Sequence, residues 1–380
     1  MESKGIYLDN AATTRLSPGA LAAMLPFLAM EGGNPSGSHR FAREAKKALE
    51  QSRETLKQCL GCGSGALLFT ASGSEGNNTV LRSAPIVTGK RHIIASAVEH
   101  PAILNTLKDM AALGHCTYTL LPVDEDGSVS PEALEAAIQP DTCLISVMLA
   151  NNEVGTLEPV EELCRLAHAH DILFHTDAVQ AAGHIPVDAE KLGVDYMTVA
   201  AHKFHGPKGM GALYIRKGAP LHPFITGGEQ ERDLRAGTHN VPGAVGMACA
   251  MEEAVKNMEE DVPRITALRD KLIEGILAAV PDARLNGPRQ NRLPQNVSFG
   301  FPGVAADRLL MLLDRHGLAA SSGSACLAGS LEPSHVLLAM GRTEREARSA
   351  LRLSLSRCTL KSEIETAMTL IPACVGLLKK

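Results

Sequence analysis

Short apolar stretches alternate with amphipathic stretches along most of this chain. Apolar runs rich in β-branched and aromatic residues predict buried strands at residues 66–70, 91–95, 116–122, 144–149, 172–175 and 196–199. Apolar and charged positions at helical spacing predict helices between them, at residues 74–83, 101–113, 131–137 and 160–170. This alternation is typical of an α/β domain with a mainly parallel sheet, whose sites lie beyond the carboxyl ends of the strands.

The two ends of the chain follow a different order of elements. Before the alternating region, the pattern predicts a strand at residues 6–10 and helices at residues 18–30 and 40–60. After it, the pattern predicts helices at residues 240–257, 262–280, 307–316 and 344–350, with strands at residues 296–301 and 351–355. The last third of the chain is therefore expected to form a smaller α/β unit.

A lysine stands directly after one of the predicted buried strands. The apolar run that begins at residue 194 stops at Ala201, and Lys203 follows, before a glycine-rich turn and a second apolar run at residues 212–215. Burial lowers the pKa of an ammonium group, which is the property of lysines that form Schiff bases. A surface lysine in a hairpin turn is the alternative, and this stretch alone does not decide between them.

Polar residues also follow the other predicted strands. A glycine- and serine-rich turn after residue 70 offers backbone N–H groups to an anion, although a simple helix cap explains the same residues. His100, Asn152 and Asp177 each come shortly after a strand, and Asp177 could cap a helix or hold a pyridinium nitrogen. Taken with Lys203, this set suits a cofactor that has a phosphate, an aromatic ring, a ring nitrogen and an aldehyde.

One cysteine lies in a segment unsuited to core packing. Cys326 stands among small residues at 319–329, a composition typical of mobile, exposed loops. A thiol with its ordinary pKa of about 8.5 is mostly protonated at neutral pH, so reactivity requires a nearby base or cation. An incidental exposed cysteine is the alternative.

The pair Cys59 and Cys62 has the spacing of redox or metal-binding cysteines, but no second pair follows in the sequence, which favours a role in the hydrophobic core.

Composition restricts the class of protein further. The chain has 380 residues, of which 45% are hydrophobic and 21% charged, with a formal charge of −5. These values are ordinary for a soluble enzyme, and the net negative charge does not indicate direct nucleic-acid binding. The absence of a long apolar segment or a signal-peptide core predicts a cytoplasmic protein without membrane contact. We expect no metal site, because His202 and His205 have no evident third ligand.

Eleven ordered motifs extend over nearly the whole chain, at residues 7–14, 34–39, 69–78, 99–103, 151–156, 175–180, 201–214, 230–242, 321–326, 333–341 and 352–357. In these motifs the chain resembles the NifS/IscS-type cysteine desulfurases, in the group with a Ser-Ser-Gly-Ser-Ala-Cys loop. The resemblance implies the type I fold of pyridoxal 5'-phosphate (PLP) enzymes. It implies a large domain at residues 15–257 with a mainly parallel seven-stranded sheet. It also implies a small α/β domain from residues 1–14 and 258–380, which carries the mobile Cys326 loop.

The resemblance assigns roles to twelve residues. It implies that Lys203 is the Schiff-base lysine, that Cys326 takes sulfur from L-cysteine as a persulfide, and that His100 stacks on the cofactor ring and takes part in catalysis. Asp177 would pair with the pyridinium nitrogen. The phosphate would be held by Gly73, Ser74 and His202, joined by Thr238 from the other subunit of a homodimer. The remaining contacts, to the ring oxygen and the substrate, would come from Asn10, Asn152, Gln180 and, at the substrate carboxylate, Arg352.

The implied activity converts L-cysteine to L-alanine and delivers sulfur to an iron–sulfur scaffold or a tRNA-thiolation enzyme. Two departures stand out: Ala200 occupies a position where the family usually has serine, and Gly73-Ser74 replaces a common Ala-Thr. A lost hydrogen bond to a charged phosphate is worth about 1.5–3 kcal/mol, so weaker cofactor retention is expected. The competing hypotheses are a lyase acting on selenocysteine or another amino acid, and a catalytically silent scaffold.

Overall fold

The computed structural model of the chain describes residues 5–29, 33–322 and 332–379. Its strands are β1 (Ile6–Tyr7), β2 (Ala66–Thr70), β3 (His92–Ser96), β4 (Thr117–Leu121), β5 (Thr142–Ser146), β6 (Leu173–Asp177), β7 (Tyr196–Ala200), β8 (Gly211–Ile215), β9 (Arg284–Leu285), β10 (Asn296–Gly300), β11 (Leu318–Ala319) and β12 (Ala350–Ser354). A 3-10 turn, Ala201–Lys203, follows β7, and a second one spans Gln230–Asp233.

In the middle of the chain, helices of the described residues alternate with these strands, whereas α1 and α2, α8 and α9, and α11 and α12 follow one another directly. They are α1 (Pro18–Leu28), α2 (Arg40–Cys59), α3 (Gly73–Thr88), α4 (Pro101–Ala112), α5 (Pro131–Ala137), α6 (Val160–Ala169), α7 (Ala189–Leu192), α8 (Val241–Lys256), α9 (Met258–Ala279), α10 (Ala306–Arg315), α11 (His335–Ala339), α12 (Glu344–Ala347) and α13 (Lys361–Leu378).

The predicted α/β fold with a mainly parallel sheet is confirmed. Among the described residues, seven strands form one sheet in the order β2-β8-β7-β6-β5-β3-β4, in which six strands run in one direction and β8 runs in the opposite direction. β3, β5 and β7 are fully buried and β6 is buried except at its first residue, Leu173, as expected of strands covered by helices on both faces. The carboxyl ends of β2, β3, β5, β6 and β7 therefore meet at one edge of the sheet.

Two helices begin at this edge of the sheet, each with a capping residue that accepts a hydrogen bond from the first turn. Ser72 caps α3 by accepting a hydrogen bond from the Glu75 N–H, and Gly89 in the left-handed conformation ends that helix. Pro101 starts α4, where its missing N–H has no consequence, and His100 caps it. Both helix N-termini therefore point their positive ends towards the carboxyl ends of the strands.

A second hydrophobic cluster lies in the last third of the chain. Buried residues of α9, α10, β10, β12 and α13 pack together, and Leu8 from the N-terminal segment joins them. β10 pairs antiparallel with β9 and β12, while β1 pairs parallel with β11. The N-terminal segment thus packs with the C-terminal elements. Within the described ranges, no helix is long and apolar enough to cross a membrane.

Several element boundaries differ from the prediction. The strand expected at residues 144–149 is β5, which begins earlier, at Thr142, and ends at Ser146. The N–H groups of Val147 and Leu149 still donate to carbonyls of β6 beyond that end. The strand expected at residues 6–10 is β1, which is shorter and spans only Ile6–Tyr7. The two-residue strands β9 and β11 are too short to produce an alternating pattern.

Candidate active site

A cavity of about 290 Å³ lies beyond the carboxyl ends of the sheet strands. Its volume is close to the lower end of the range usual for small-molecule sites. The structure brings nine of the predicted site residues to its wall, from five strand ends and from β12: Gly73, Ser74, His100, Asn152, Asp177, Gln180, His202, Lys203 and Arg352.

Lys203 is held at the end of β7 through both its backbone and its side chain. Its Nζ donates to the carbonyl oxygens of Ala11 and Ala12, at 2.6 and 2.9 Å. The Nε2 of His184 donates to the Lys203 carbonyl oxygen at 2.9 Å, and burial lowers the pKa of His184 to about 4, which keeps this ring neutral. The ammonium is thus aimed into the cavity by two carbonyls of the N-terminal segment.

Asp177, the last residue of β6, presents a nearly buried carboxylate to the cavity. The Asn77 side-chain amide donates to Oδ2 at 2.7 Å, and the Val179 backbone N–H donates to Oδ1 at 2.9 Å. Two donors fix the carboxylate and leave it capacity to accept a further N–H, since each oxygen has two acceptor sites. His175 stands behind it between Ser146 and Thr198, and burial lowers the pKa of His175 to about 4.

His100 contributes a neutral imidazole. Its Nδ1 accepts a hydrogen bond from the Ala102 N–H at 3.1 Å, so the proton of the neutral ring is on Nε2. Burial lowers the pKa of His100, although the Asp177 charge opposes this effect. A neutral ring with one exchangeable proton can stack on a flat ligand and can give or take a proton near neutral pH.

The turn that begins α3 can bind an anion. Gly73 is buried so closely against Val179 that an added Cβ would lie 2.8 Å from a methyl carbon of that valine. The first N–H groups of a helix have no partner within it, and α3 runs for 16 residues. His202 faces the same cavity, and burial together with the Lys203 charge lowers its pKa to about 4.

Arg352 reaches the cavity from β12 and is 2% exposed. Its Nη1 donates to the Asn152 carbonyl oxygen at 3.0 Å, and its Nη2 pairs with Asp9 Oδ1 at 3.0 Å. A planar guanidinium fixed in this way can bind a carboxylate in a defined orientation.

Two of the predicted site residues that the structure describes, Asn10 and Thr238, do not line the cavity. Asn10 directs its amide to the Ser354 and Tyr7 carbonyls, at 2.8 and 3.3 Å, and so ties the N-terminal segment to β12. Thr238 is exposed on a loop. Cys326 lies outside the described residues.

Burial raises the pKa of Cys59 to about 11 and of Cys62 to about 12, which makes both thiols poor nucleophiles.

Other residues of the wall were missed by the sequence reasoning. His335, the first residue of α11, lines the cavity and donates from Nε2 to the Glu99 carbonyl oxygen at 2.9 Å. Asn77 fixes Asp177, and Ala11 and Ala12 hold Lys203 with backbone atoms. His335 and Asn77 lie within motifs that match the resemblance, which is the signal that could have identified them.

The donors and acceptors of the cavity fit PLP. The α3 turn and His202 suit a phosphate, the Asp177 carboxylate suits a protonated ring nitrogen, and Lys203 suits an aldehyde. Asn77 Oδ1 is buried without a partner among the described residues, so this wall has an oxygen atom that can still accept a hydrogen bond. All of these groups border one cavity, as a single cofactor requires.

Comparisons with known proteins agree with this arrangement. The model of the aminotransferase class-V family matches residues 6–366. A protein named cysteine desulfurase IscS from Dictyoglomus turgidum is 45% identical over 376 residues, which are 98% of this chain and 95% of that protein. A similarly named protein from Methanosarcina thermophila is 42% identical and covers the whole of this chain and 94% of its own length.

Two solved structures are similar in fold as well as in sequence. A NifS-like protein has a TM-score of 0.91 and 39% identity, and the match covers 98% of this chain and all of that one. The structure of SspA in complex with cysteine has a TM-score of 0.81 and 34% identity, covering 93% of this chain and all of that one. By family, by relatives and by fold, this chain belongs to the class-V aminotransferases and, within them, to the PLP-dependent cysteine desulfurases.

Proposed function

We propose that this protein converts L-cysteine to L-alanine and passes the sulfur to Cys326 as a persulfide. The observation that carries the proposal is the convergence of Lys203, Asp177 and Arg352 on one cavity. These side chains supply an amine, a counter-charge for a ring nitrogen and a carboxylate receptor. The related structure of SspA, which is a complex with cysteine, supports the choice of substrate.

The reaction balances without an external oxidant. The Cys326 thiolate attacks the sulfur of the substrate, a sulfur–sulfur bond forms, and the bond between that sulfur and the substrate β-carbon breaks. The electron pair of the broken bond stays with the carbon, which takes up a proton and becomes the alanine methyl group. PLP, when bound, accepts electron density from the substrate and so permits this cleavage.

The residues of the cavity bind and orient the substrate. Arg352 receives the substrate carboxylate, with Asn152 beside it through the bond from Nη1 to the Asn152 carbonyl. Gln180 is held by its own bond to the Ala11 carbonyl, from Nε2 at 3.0 Å. Lys203 carries a proton on Nζ that it can deliver within the cavity. His100, neutral and protonated on Nε2, is the second group that can move a proton there.

Both described ends of the segment that contains Cys326 bond to residues of the cavity wall. Ser321 and Arg352 exchange backbone hydrogen bonds, at 3.1 and 2.7 Å. At the other end, Ser334 bonds to the Glu153 carboxylate at 2.5 Å, and His335 bonds to the Glu99 carbonyl. Cys326 is five residues from Ser321, a span of at most about 18 Å. This tethering supports the role of Cys326 as the sulfur carrier.

The proposal also covers the oligomeric state, the compartment, the sulfur acceptor and the domain division of the enzyme. The enzyme is a cytoplasmic homodimer in which Thr238 of one subunit joins the phosphate site of the other. Its persulfide serves an iron–sulfur scaffold or a tRNA-thiolation enzyme, and the IscS names of the relatives favour the first acceptor. The large domain spans residues 15–257, and residues 1–14 and 258–380 form the small one, a division supported by the separate hydrophobic cluster of the C-terminal elements.

The deciding experiment measures alanine and sulfide released from L-cysteine in the presence of a reductant. The wild type is expected to release both in equal amounts, and Cys326→Ser neither. Cys358→Ser is the matched control, because Cys358 is exposed and does not line the cavity. Selenocysteine turnover that survives in Cys326→Ser, without any turnover of L-cysteine by the wild type, would identify a selenocysteine lyase instead.

A further inference from the structure

Three consecutive residues adopt a backbone conformation that non-glycine residues rarely use. Glu231, Arg232 and Asp233 have φ angles of 48°, 59° and 65°. Such a conformation costs free energy in an L-residue and persists only where the surroundings determine it strongly. The segment therefore requires a local cause, and the cause lies in the side chain of Glu231.

Glu231 is the centre of a buried cluster that we name the Glu231 clamp, formed by Arg53, Glu231 and His239. Arg53 donates hydrogen bonds to both carboxylate oxygens of Glu231, from Nη1 to Oε2 at 2.7 Å and from Nη2 to Oε1 at 2.9 Å. His239 Nε2 contacts Oε1 at 2.9 Å. The backbone N–H of Phe69 donates to Oε2 at 3.0 Å.

The charges of the clamp compensate one another. Burial alone would raise the pKa of Glu231, but the hydrogen bonds from His239 and Arg53 and the Arg53 charge lower it to about 2. The carboxylate therefore stays ionised throughout the physiological range. Because Arg53 belongs to α2 and Phe69 to β2, the clamp ties the loop to the edge of the large sheet.

Further contacts fix the rest of this loop. Arg235 Nε pairs with Glu75 Oε1, in the first turn of α3, at 2.8 Å. The Gly237 N–H donates to the side-chain oxygen of Gln230 at 2.9 Å. Thr238 is thus the exposed residue between a fixed Gly237 and the clamped His239. A loop that is held at this many points is preorganised for contact.

The loop does not serve the cavity of its own subunit, since none of the described residues that line this cavity comes from residues 229–239. We propose that the Glu231 clamp is a positioning device that presents Thr238 to a second copy of this chain. There Thr238 completes the phosphate site made by Gly73, Ser74 and His202. This inference rests on the homodimer of the proposed function, and it makes Glu231 a positioning residue for the partner's site.

Mixed dimers test the inference, because they separate an effect on the residue's own site from an effect on the partner's site. In the first, one subunit carries Lys203→Ala and the other Glu231→Gln. Its remaining lysine-containing site then receives an intact loop, and we expect about half of the wild-type alanine release. In the second, one subunit carries both substitutions beside a wild-type subunit. Its lysine-containing site receives the damaged loop, and we expect at least a tenfold loss.

The reverse pattern, or equal activity of the two mixed dimers, would overturn the inference. PLP dissociation constants of the homodimeric variants give a readout independent of turnover, so the inference is tested even if L-cysteine is not the substrate. Glu231→Gln is expected to weaken PLP binding at least tenfold, and the exposed neighbour Glu229→Gln to leave it unchanged. If Glu231→Gln folds poorly, His239→Gln replaces it in every arm, with the same expected results.

Discussion

Arg352 Nη2 lies 3.0 Å from Asp9 Oδ1, so the candidate substrate receptor already holds a carboxylate from its own chain. The arginine side chain is 2% exposed and Asp9 is 20% exposed. A buried guanidinium without a counter-charge is costly, and Asp9 supplies that charge when no substrate is present. The carboxylate of L-cysteine must therefore join or displace Asp9.

Replacing Arg352 with lysine is expected to impair substrate binding more than the chemical step. The ammonium of lysine keeps the charge but loses the fork that contacts a carboxylate and the Asn152 carbonyl together. Loss of one charge-assisted bond, about 1.5–3 kcal/mol, predicts a KM for L-cysteine that is about 10- to 150-fold higher. Steady-state kinetics give the measurement. Arg284→Lys, an exposed pair with Glu346, is the control, and an unchanged KM would contradict the role of Arg352.

Asp177→Asn tests the counter-charge of the cofactor ring. The amide has the shape of the carboxylate and can still accept from Val179, but it cannot stabilise a protonated ring nitrogen. Removal of a preorganised charge of this kind typically lowers kcat by about 100-fold or more. We expect that loss in alanine release with little change in Tm. Activity close to that of the wild type would exclude the assigned role.

Ala200→Ser restores a hydroxyl at a wall position of the cavity. Ala200 ends β7 and lines the cavity, so the new hydroxyl would face the bound cofactor. A hydrogen bond to a charged group, about 1.5–3 kcal/mol, predicts PLP affinity at least tenfold higher, measured by cofactor titration of the apoenzyme. Ala71→Ser adds the same hydroxyl on an exposed turn and serves as control. Equal affinity of Ala200→Ser and the wild type would show that the departure from the family has no consequence.

Glu158 is expected to make stability depend on pH. Burial raises its pKa from 4.5 to about 7, although the Val129 N–H bond opposes this. A carboxyl whose pKa is higher in the folded state loses stability as pH rises from about 4.5 through 7, up to about 3 kcal/mol. Glu158→Gln should remove this loss, so denaturant unfolding should show a larger gain at pH 8 than at pH 5. A gain of the same size at both pH values would contradict the shift.

The sequence predicted the positions that parallel strands bring together. His100, Asp177 and Lys203 follow β3, β6 and β7, whose carboxyl ends share one edge of the sheet. Local pattern was sufficient here because each buried strand is apolar and each polar residue stands just after it.

Other parts of the site leave no such signal. Ala11 and Ala12 act through backbone carbonyls, which carry no information about residue type. Arg352 stands in the middle of a buried strand, so only the family resemblance marked it as functional. The position of His335 at the cavity depends on how α11 packs against the turn after β3. The contact that shows this packing joins His335 to Glu99, which lies 236 positions away in the sequence.

The N-terminal segment has a consequence for how the enzyme is made. β1 pairs with β11, Asp9 bridges to Ser354, and the two carbonyls that hold Lys203 follow directly. Residues 6–12 therefore cannot reach their places until β11 and β12 have been synthesised. The large sheet can form before that point, but the amine of Lys203 is oriented only after β12 is in place, so a product that ends before β12 could not assemble a working site.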